Sequence, residues 1–157
     1  MKKILLYIGI FTLTMLAPVQ SADVGKLRPV QLISMFTKGN EIVIETDTGD
    51  SGAGGTVREA FDELERTTPA IIYLDTADYL LVTESALEYV TQLDVYLKDT
   101  IRICRQEVPV DTKQAAQYLS VHGELPRLKS WEKGTDLPVL DVIEKKVFLI
   151  EKSKNNT

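Results

Sequence analysis

Apolar positions change period several times along the chain, and each change marks an element. Val30 to Phe36 is a dense apolar run with β-branched members, followed by the turn composition Thr37-Lys38-Gly39-Asn40 and a second run, Glu41 to Thr46. Two such runs around Gly-Asn predict a β-hairpin. Asp47 to Gly55 carries four glycines and is expected to form no regular element. From Thr56 the period becomes helical. Val57, Ala60, Phe61 and Leu64 fall at i, i+3, i+4 and i+7, and Glu59 lies three residues after Thr56 as in a capping box. Thr67-Thr68-Pro69 stops this helix.

Ala70 to Leu74 is short and apolar, which predicts a buried strand. Asp75 to Asp78 turns the chain, and Tyr79 to Val82 reads as the next strand. Thr83 or Ser85 can cap a second helix to about Lys98, with Ala86, Leu87, Val90, Leu93 and Leu97 inward. Thr100 to Gln106 follows as a strand in which Ile101, Ile103 and Arg105 share a face. Asp111 caps a short helix that turns Ala115, Ala116 and Leu119 inward. Residues 120–138, with Gly123, Pro126, Gly134 and Pro138, are loop-like. Val147 to Ile150 is a last strand. The order ββαββαβα…β predicts an α/β (α+β) fold, a mixed sheet with about three helices packed on it.

The N-terminus follows a different logic. Met1-Lys2-Lys3 is basic, Ile4 to Leu16 is uncharged and mostly apolar, and Ala17-Pro18 leads to small residues before Asp23. This is the order of a secretory signal peptide, residues 1–22, and the apolar run is shorter than the roughly 20 residues of a spanning helix. The expected division is therefore a signal at 1–22, one domain at 23–152 and a fraying tail at 153–157. An uncleaved leader would instead tether the domain to the membrane. Loss of Lys2 and Lys3 takes the formal charge from −5 to −7. Such an acidic body repels phosphate backbones and anionic headgroups, which argues against nucleic acid as a partner; it would favour a basic partner surface or a metal-rich milieu, and net charge alone identifies neither. Cys104 is the only cysteine, so an intrachain disulfide is excluded and the exported fold must rest on its apolar core.

No reactive constellation emerges from the side chains. Gly49-Asp50-Ser51-Gly52 copies the tetrapeptide around the nucleophile of trypsin-like proteases, but the only histidine is His122 and the chain is too short for two β-barrels. Gly52-Ala53-Gly54-Gly55-Thr56 opens a helix as an anion-cradling loop would, without the spacing of a nucleotide motif and with the acidic Asp47 and Asp50 beside it. Cys104 sits mid-strand and His122 in the loop-like stretch, which reads as a structural cysteine rather than a thiol–imidazole pair. Asp75, Asp78 and Glu84, or Asp47 and Asp50, could gather for calcium, but the twelve-residue calcium-loop pattern is missing. His122 alone does not make a metal site. No catalytic residue, cofactor or metal is expected. Trp131, with Pro126 and Leu128, either closes the core edge or marks a contact surface.

From Leu27 to about Val110 the chain resembles the N-terminal domain of Ger(x)C-type spore germination proteins, subunits of bacterial germinant receptors. The likeness runs through Leu27-Arg28-Pro29-Val30-Gln31-Leu32-Ile33-Ser34 and the hairpin after it, then Gly54-Gly55-Thr56-Val57-Arg58-Glu59-Ala60-Phe61. It continues in Pro69 to Asp75, in Tyr79 to Ala86, and in Val95 to Arg102. Asp75-Thr76 stands where the family usually has Gly-His, and Ser21-Ala22-Asp23 where it has a lipid-accepting cysteine. The resemblance implies a non-enzymatic, extracytoplasmic subunit with a protein partner, or a second copy of itself, at the outer face of the cytoplasmic membrane. An open sheet edge, or a face bearing Tyr89 and Tyr96, would make the contact, with Trp131 a further candidate. The alternative is a small-ligand or ion-binding module using Asp47, Asp50, Gly52, Gly54 and Gly55.

Overall fold

The computed structural model describes residues 26–122, 124–131, 135–143 and 146–150; the expected signal at 1–22 and tail at 153–157 lie outside them. Strands are β1 (Leu27–Pro29), β2 (Leu32–Lys38), β3 (Glu41–Thr46), β4 (Ser51–Gly54), β5 (Ile71–Tyr73), β6 (Tyr79–Thr83), β7 (Arg102–Gln106), β8 (Val139–Ile143) and β9 (Lys146–Ile150). The described residues also form two α-helices, α1 (Val57–Thr67) and α2 (Thr112–His122), a long 3₁₀ helix, Glu84–Val95, and two short 3₁₀ turns, Leu74–Thr76 and Leu128–Ser130. Seven strands form one mixed sheet in the order β4-β3-β2-β6-β7-β8-β9. Its centre is parallel (β2, β6, β7, β8), and antiparallel hairpins flank it on both sides. The fold is α/β, as the alternation of periods implies.

Residue alternation on the central strands sorts the core into two layers. Ile33, Met35, Leu80, Val82 and Ile103 pack with Val57, Phe61 and Leu64 of α1 and with Ala86, Val90 and Leu93 of the 3₁₀ helix. Leu32, Leu81, Cys104 and Leu140 point the other way, onto Ala115, Ala116 and Leu119 of α2. Helix α1 starts where the capping pattern places it. Thr56 Oγ1 accepts from Glu59 N at 3.2 Å, and Glu59 Oε2 reaches back to Gly55 N at 2.9 Å.

Four sequence expectations need correction. The glycine-rich stretch contains a strand, β4, paired with β3 and lying directly on α1. A Cβ on Gly52 would stand 2.2 Å from Ala60 O, and one on Gly54 2.5 Å from Glu59 Cβ. These glycines permit strand and helix to touch, a gain that outweighs their entropic cost. Strand β5 is not buried: Ile71 is 51% and Tyr73 43% exposed. It pairs with β1 in a separate two-stranded sheet, and only Ile72, alternating to the other side, packs on the core. The second helix is wound as 3₁₀ rather than α. Leu87, Val90, Leu93 and Tyr96 recur every third residue, so the tighter winding still lines them against the core. The stretch 120–138 is less open than expected, since α2 runs to His122 and a short 3₁₀ turn forms at Leu128–Ser130.

Candidate functional site

Strands β6 and β7 end side by side, at Thr83 and Gln106, and their carboxyl ends open onto a cleft of about 490 Å³. Ligands of open α/β sheets bind in such places, because loops after parallel strands splay apart there. One wall is the first turn of the 3₁₀ helix, with Glu84, Ser85, Leu87 and Glu88. The opposite wall is Trp131, Thr135, Asp136 and Leu137, and Arg105 lies between.

Backbone hydrogen bonds hold both sides of the second wall, at Pro126 with Leu128 and at Pro138, to β7 and the residue before it. Ile103 N donates to Pro126 O at 2.9 Å and Leu128 N to Ile101 O at 2.8 Å; higher on the strand, Arg105 N donates to Pro138 O at 2.9 Å. Leu128 and Leu137 are both buried. Between them Trp131 is half-buried, and its Nε1 donates to Thr135 O at 3.2 Å. Trp131 also lines a second cleft of about 390 Å³, whose lysines are engaged: Lys98 Nζ lies 2.8 Å from Asp78, and Lys129 pairs with Asp99. That hydrogen bond to Asp99 pushes the Lys129 pKa up.

The described residues that line the first cleft include three carboxylates (Glu84, Glu88, Asp136) and one guanidinium, Arg105. Arg105 Nη1 donates to Glu84 Oε2 at 2.5 Å, so the guanidinium is already ion-paired. Ser85 Oγ accepts from Thr37 Oγ1 at 2.6 Å and lies 3.1 Å from Thr83 Oγ1, within a hydroxyl cluster and without a histidine to activate it. Among the described residues no general base is poised on this hydroxyl.

The aspartates of 47–55 serve the fold. Asp47 Oδ1 accepts from the backbone N–H of Gln31 and Leu32 at 3.0 and 3.2 Å. Asp50 is bound by Arg28 and by Thr48 Oγ1 at 2.7 Å. The Gly55 amide, which an anion would need, is held by Glu59, and Gly52 and Gly54 lie against α1. Asp47 and Asp50 precede β4, Gly52 and Gly54 lie within it and Gly55 follows it, so the structure strings these five residues along a strand and does not gather them at one point. The Tyr96 ring stacks on Phe61, centroids 4.2 Å apart and 15° from parallel, which makes it part of the packing. Tyr89 is half-buried against the same core, and a hydrogen bond to Glu88 pushes its hydroxyl pKa up. Of the three aromatic candidates, Trp131 lines both clefts.

Cys104 is fully buried beneath α2, while His122 is exposed at the helix end with its ring centroid 4.7 Å from that of Tyr118. Asp78 is tied to Lys98 and Glu84 to Arg105, so the acids around 75–84 do not converge. Among the described residues no group of three His, Cys, Asp or Glu side chains could hold a metal ion. Among the same residues no helix is long and apolar enough to cross a membrane. Sequence reasoning missed Glu88, Arg105 and Asp136 as neighbours. A signal for Arg105 was present, since a charged residue on the Ile101–Ile103 face must find a polar opening or a partner.

Compared with protein-family models, curated proteins and solved structures, the chain finds no match.

Proposed function

We propose that the protein is a non-enzymatic, extracytoplasmic assembly or receptor-accessory subunit, acting through contact with a protein partner at the outer face of the cytoplasmic membrane. The observation that carries this reading is Trp131, a half-buried indole that lines two clefts and lies between the backbone hydrogen bonds joining Pro126 and Pro138 to β7. Aromatic anchors in preformed clefts are the usual centres of binding energy. The signal-like order of residues 1–22, the acidic composition and the likeness to Ger(x)C N-terminal domains support this compartment and this kind of partner. The ligand module once expected at 47–55 has weaker support, because its carboxylates and first amide are engaged within the fold.

The test places a photoreactive amino acid at Thr91, an exposed residue lining the second cleft, in the full chain made in its native cells. A discrete adduct in the envelope fraction, lost in W131A, is the expected result. Native protein found in the cytosol with Met1 intact and no adduct would overturn the reading.

A further inference from the structure

The geometry points to a second contact surface: the open edge of β4 takes an extended, lysine- or arginine-bearing segment of a protein partner as an added strand. It goes beyond the role proposed above and stands on the main-chain groups of Ser51 and Ala53 rather than on Trp131.

Strand β4 ends the seven-stranded sheet and pairs with β3 alone. Thr46 N donates to Asp50 O at 2.9 Å, so the bonded pairs of this antiparallel ladder continue at Ile44–Gly52 and Ile42–Gly54. The N–H and C=O groups of Ser51 and Ala53 therefore turn outward, and both residues are exposed. Thr67 Oγ1 donates to Ser51 O at 3.2 Å and leaves that oxygen a second lone pair. Among the described residues no group meets the Ser51 N–H or either main-chain group of Ala53. Edges are ordinarily guarded by lysine, proline or a covering group. Ser51-Gly52-Ala53-Gly54 contains neither residue type. At the other end of the sheet β9 opens with Lys146, and the Tyr118 hydroxyl takes its Leu149 N–H at 3.2 Å. Of the two edges, β4 is the bare one.

The side chains beside this edge select the occupant. A groove of about 630 Å³ runs along it, lined by Glu41 and Val43 of β3 and by Glu63, Thr67 and Thr68 where α1 ends. Its lining holds acids and no lysine or arginine. Asp50 is matched by Arg28 and Glu63 by Arg66, and Lys38 stands opposite Glu41 in the β2–β3 register. Glu45, opposite Ser51 in the β3–β4 register, has no ion pair among the described residues. Glu41, Val43 and Glu45 alternate with the core-facing Ile42 and Ile44, and so share the outer face of the sheet with Ser51 and Ala53. Those two side chains are small, so a long cationic side chain on an added strand passes over them toward Glu45 and Glu41. Main-chain bonds to the edge supply affinity, and the alternate side chains supply the choice of partner. An acidic segment would meet like charge there. A second copy adding its own β4 would bring no basic residue to the contact.

The probe is a fluorescein-labelled heptapeptide in which lysine alternates with threonine and valine, followed by anisotropy on the full chain. Saturable binding, weakened by salt and about tenfold tighter than that of the counterpart with glutamate for lysine, is expected. With the peptide bound, the Ser51 and Ala53 amides should slow in hydrogen exchange. Ala53→Pro removes one outward N–H and none of the bonds to β3, so it should keep the parent thermal midpoint and lose about tenfold in affinity. E41Q/E45Q should lose about fivefold, and it decides the matter if the proline variant unfolds. No saturable binding of the lysine peptide, equal binding of the glutamate peptide, or undiminished binding in either folded variant overturns the inference. So does a parent dimer that Ala53→Pro dissolves, because a second copy would then occupy the edge. An adduct at Thr91 lost in W131A, with the lysine peptide unresponsive, sinks this inference and leaves the assembly role standing; peptide binding without that adduct does the reverse.

Discussion

Nη1 of Arg28 lies 2.9 Å from both carboxylate oxygens of Asp50, tying β1 to the turn between β3 and β4. The Asp50 side chain is only 10% exposed. That burial pushes its pKa up, but hydrogen bonds from Thr48 and Arg28, the Arg28 charge and a hydrogen bond from Thr68 outweigh it, and the carboxyl titrates below its ordinary value.

A group whose folded pKa is depressed stabilises the fold above its unfolded value and loses that contribution as pH falls through the folded one. Asp50→Asn should therefore cost about 1–2 kcal/mol near neutral pH. In denaturant titrations the gap to the parent chain should narrow below about pH 4, where the parent carboxylate begins to protonate. A gap that stays constant down to pH 2 would show that the charge of Asp50 contributes nothing.

Gly52 and Gly39 are glycines for different reasons, and alanine separates them. Gly39 has φ +63° with open space around it, so Gly39→Ala should cost about 1–2 kcal/mol in backbone strain alone. At Gly52 the new methyl meets the backbone of α1 at Ala60 and Leu64, which cannot yield without moving strand from helix. Gly52→Ala should lose about 3 kcal/mol or more by thermal unfolding. Equal midpoints for the two variants would contradict the close approach of β4 to α1.

Tyr96 belongs to the packing through its ring rather than its hydroxyl. Tyr96→Phe should stay within about 0.5 kcal/mol of the parent, and Tyr96→Ala should lose about 2–4 kcal/mol, combining lost burial with the lost stack on Phe61. A neutral alanine variant would return Tyr96 to the list of surface contacts.

Cys104 should resist alkylation in the folded protein and react freely in denaturant. It is fully buried, and burial pushes the thiol well above its usual range, so little thiolate exists to react. Mass spectrometry after iodoacetamide treatment checks this. Rapid labelling of the native chain would show that α2 leaves the sheet far more readily than its packing implies.

Ser34 and Gln106 meet across the buried α2 side of the sheet, with Gln106 Nε2 donating to Ser34 Oγ at 2.7 Å and both residues fully buried. Ser34→Ala should strand the amide and cost about 1–3 kcal/mol, whereas S34A/Q106L should recover most of that loss. A double variant no more stable than the single one would show that the amide has another partner.

Where periodicity and burial agree, the elements were legible in residue order. The α1 face of Val57, Ala60, Phe61 and Leu64, its Thr56–Glu59 cap, the hairpin of β2 and β3, and the inward alanines of α2 follow from local spacing. Strand β4 was not legible, because four glycines predict a loop unless a helix is known to press against them. Nor was the exposure of β5, since Ile71-Ile72-Tyr73 has the composition of a core strand and lies outside the main sheet.

The amino-acid sequence by itself determined the fold class, the acidic composition and the single thiol. Tertiary structure alone decided which charged groups meet. Glu84, Arg105 and Asp136 come from three segments, and only the parallel pairing of β6, β7 and β8 sets them around one cleft beside Trp131. Local spacing governs the elements because backbone period is a short-range property. Distant side chains become neighbours only when the sheet order is chosen, and that choice belongs to the whole core.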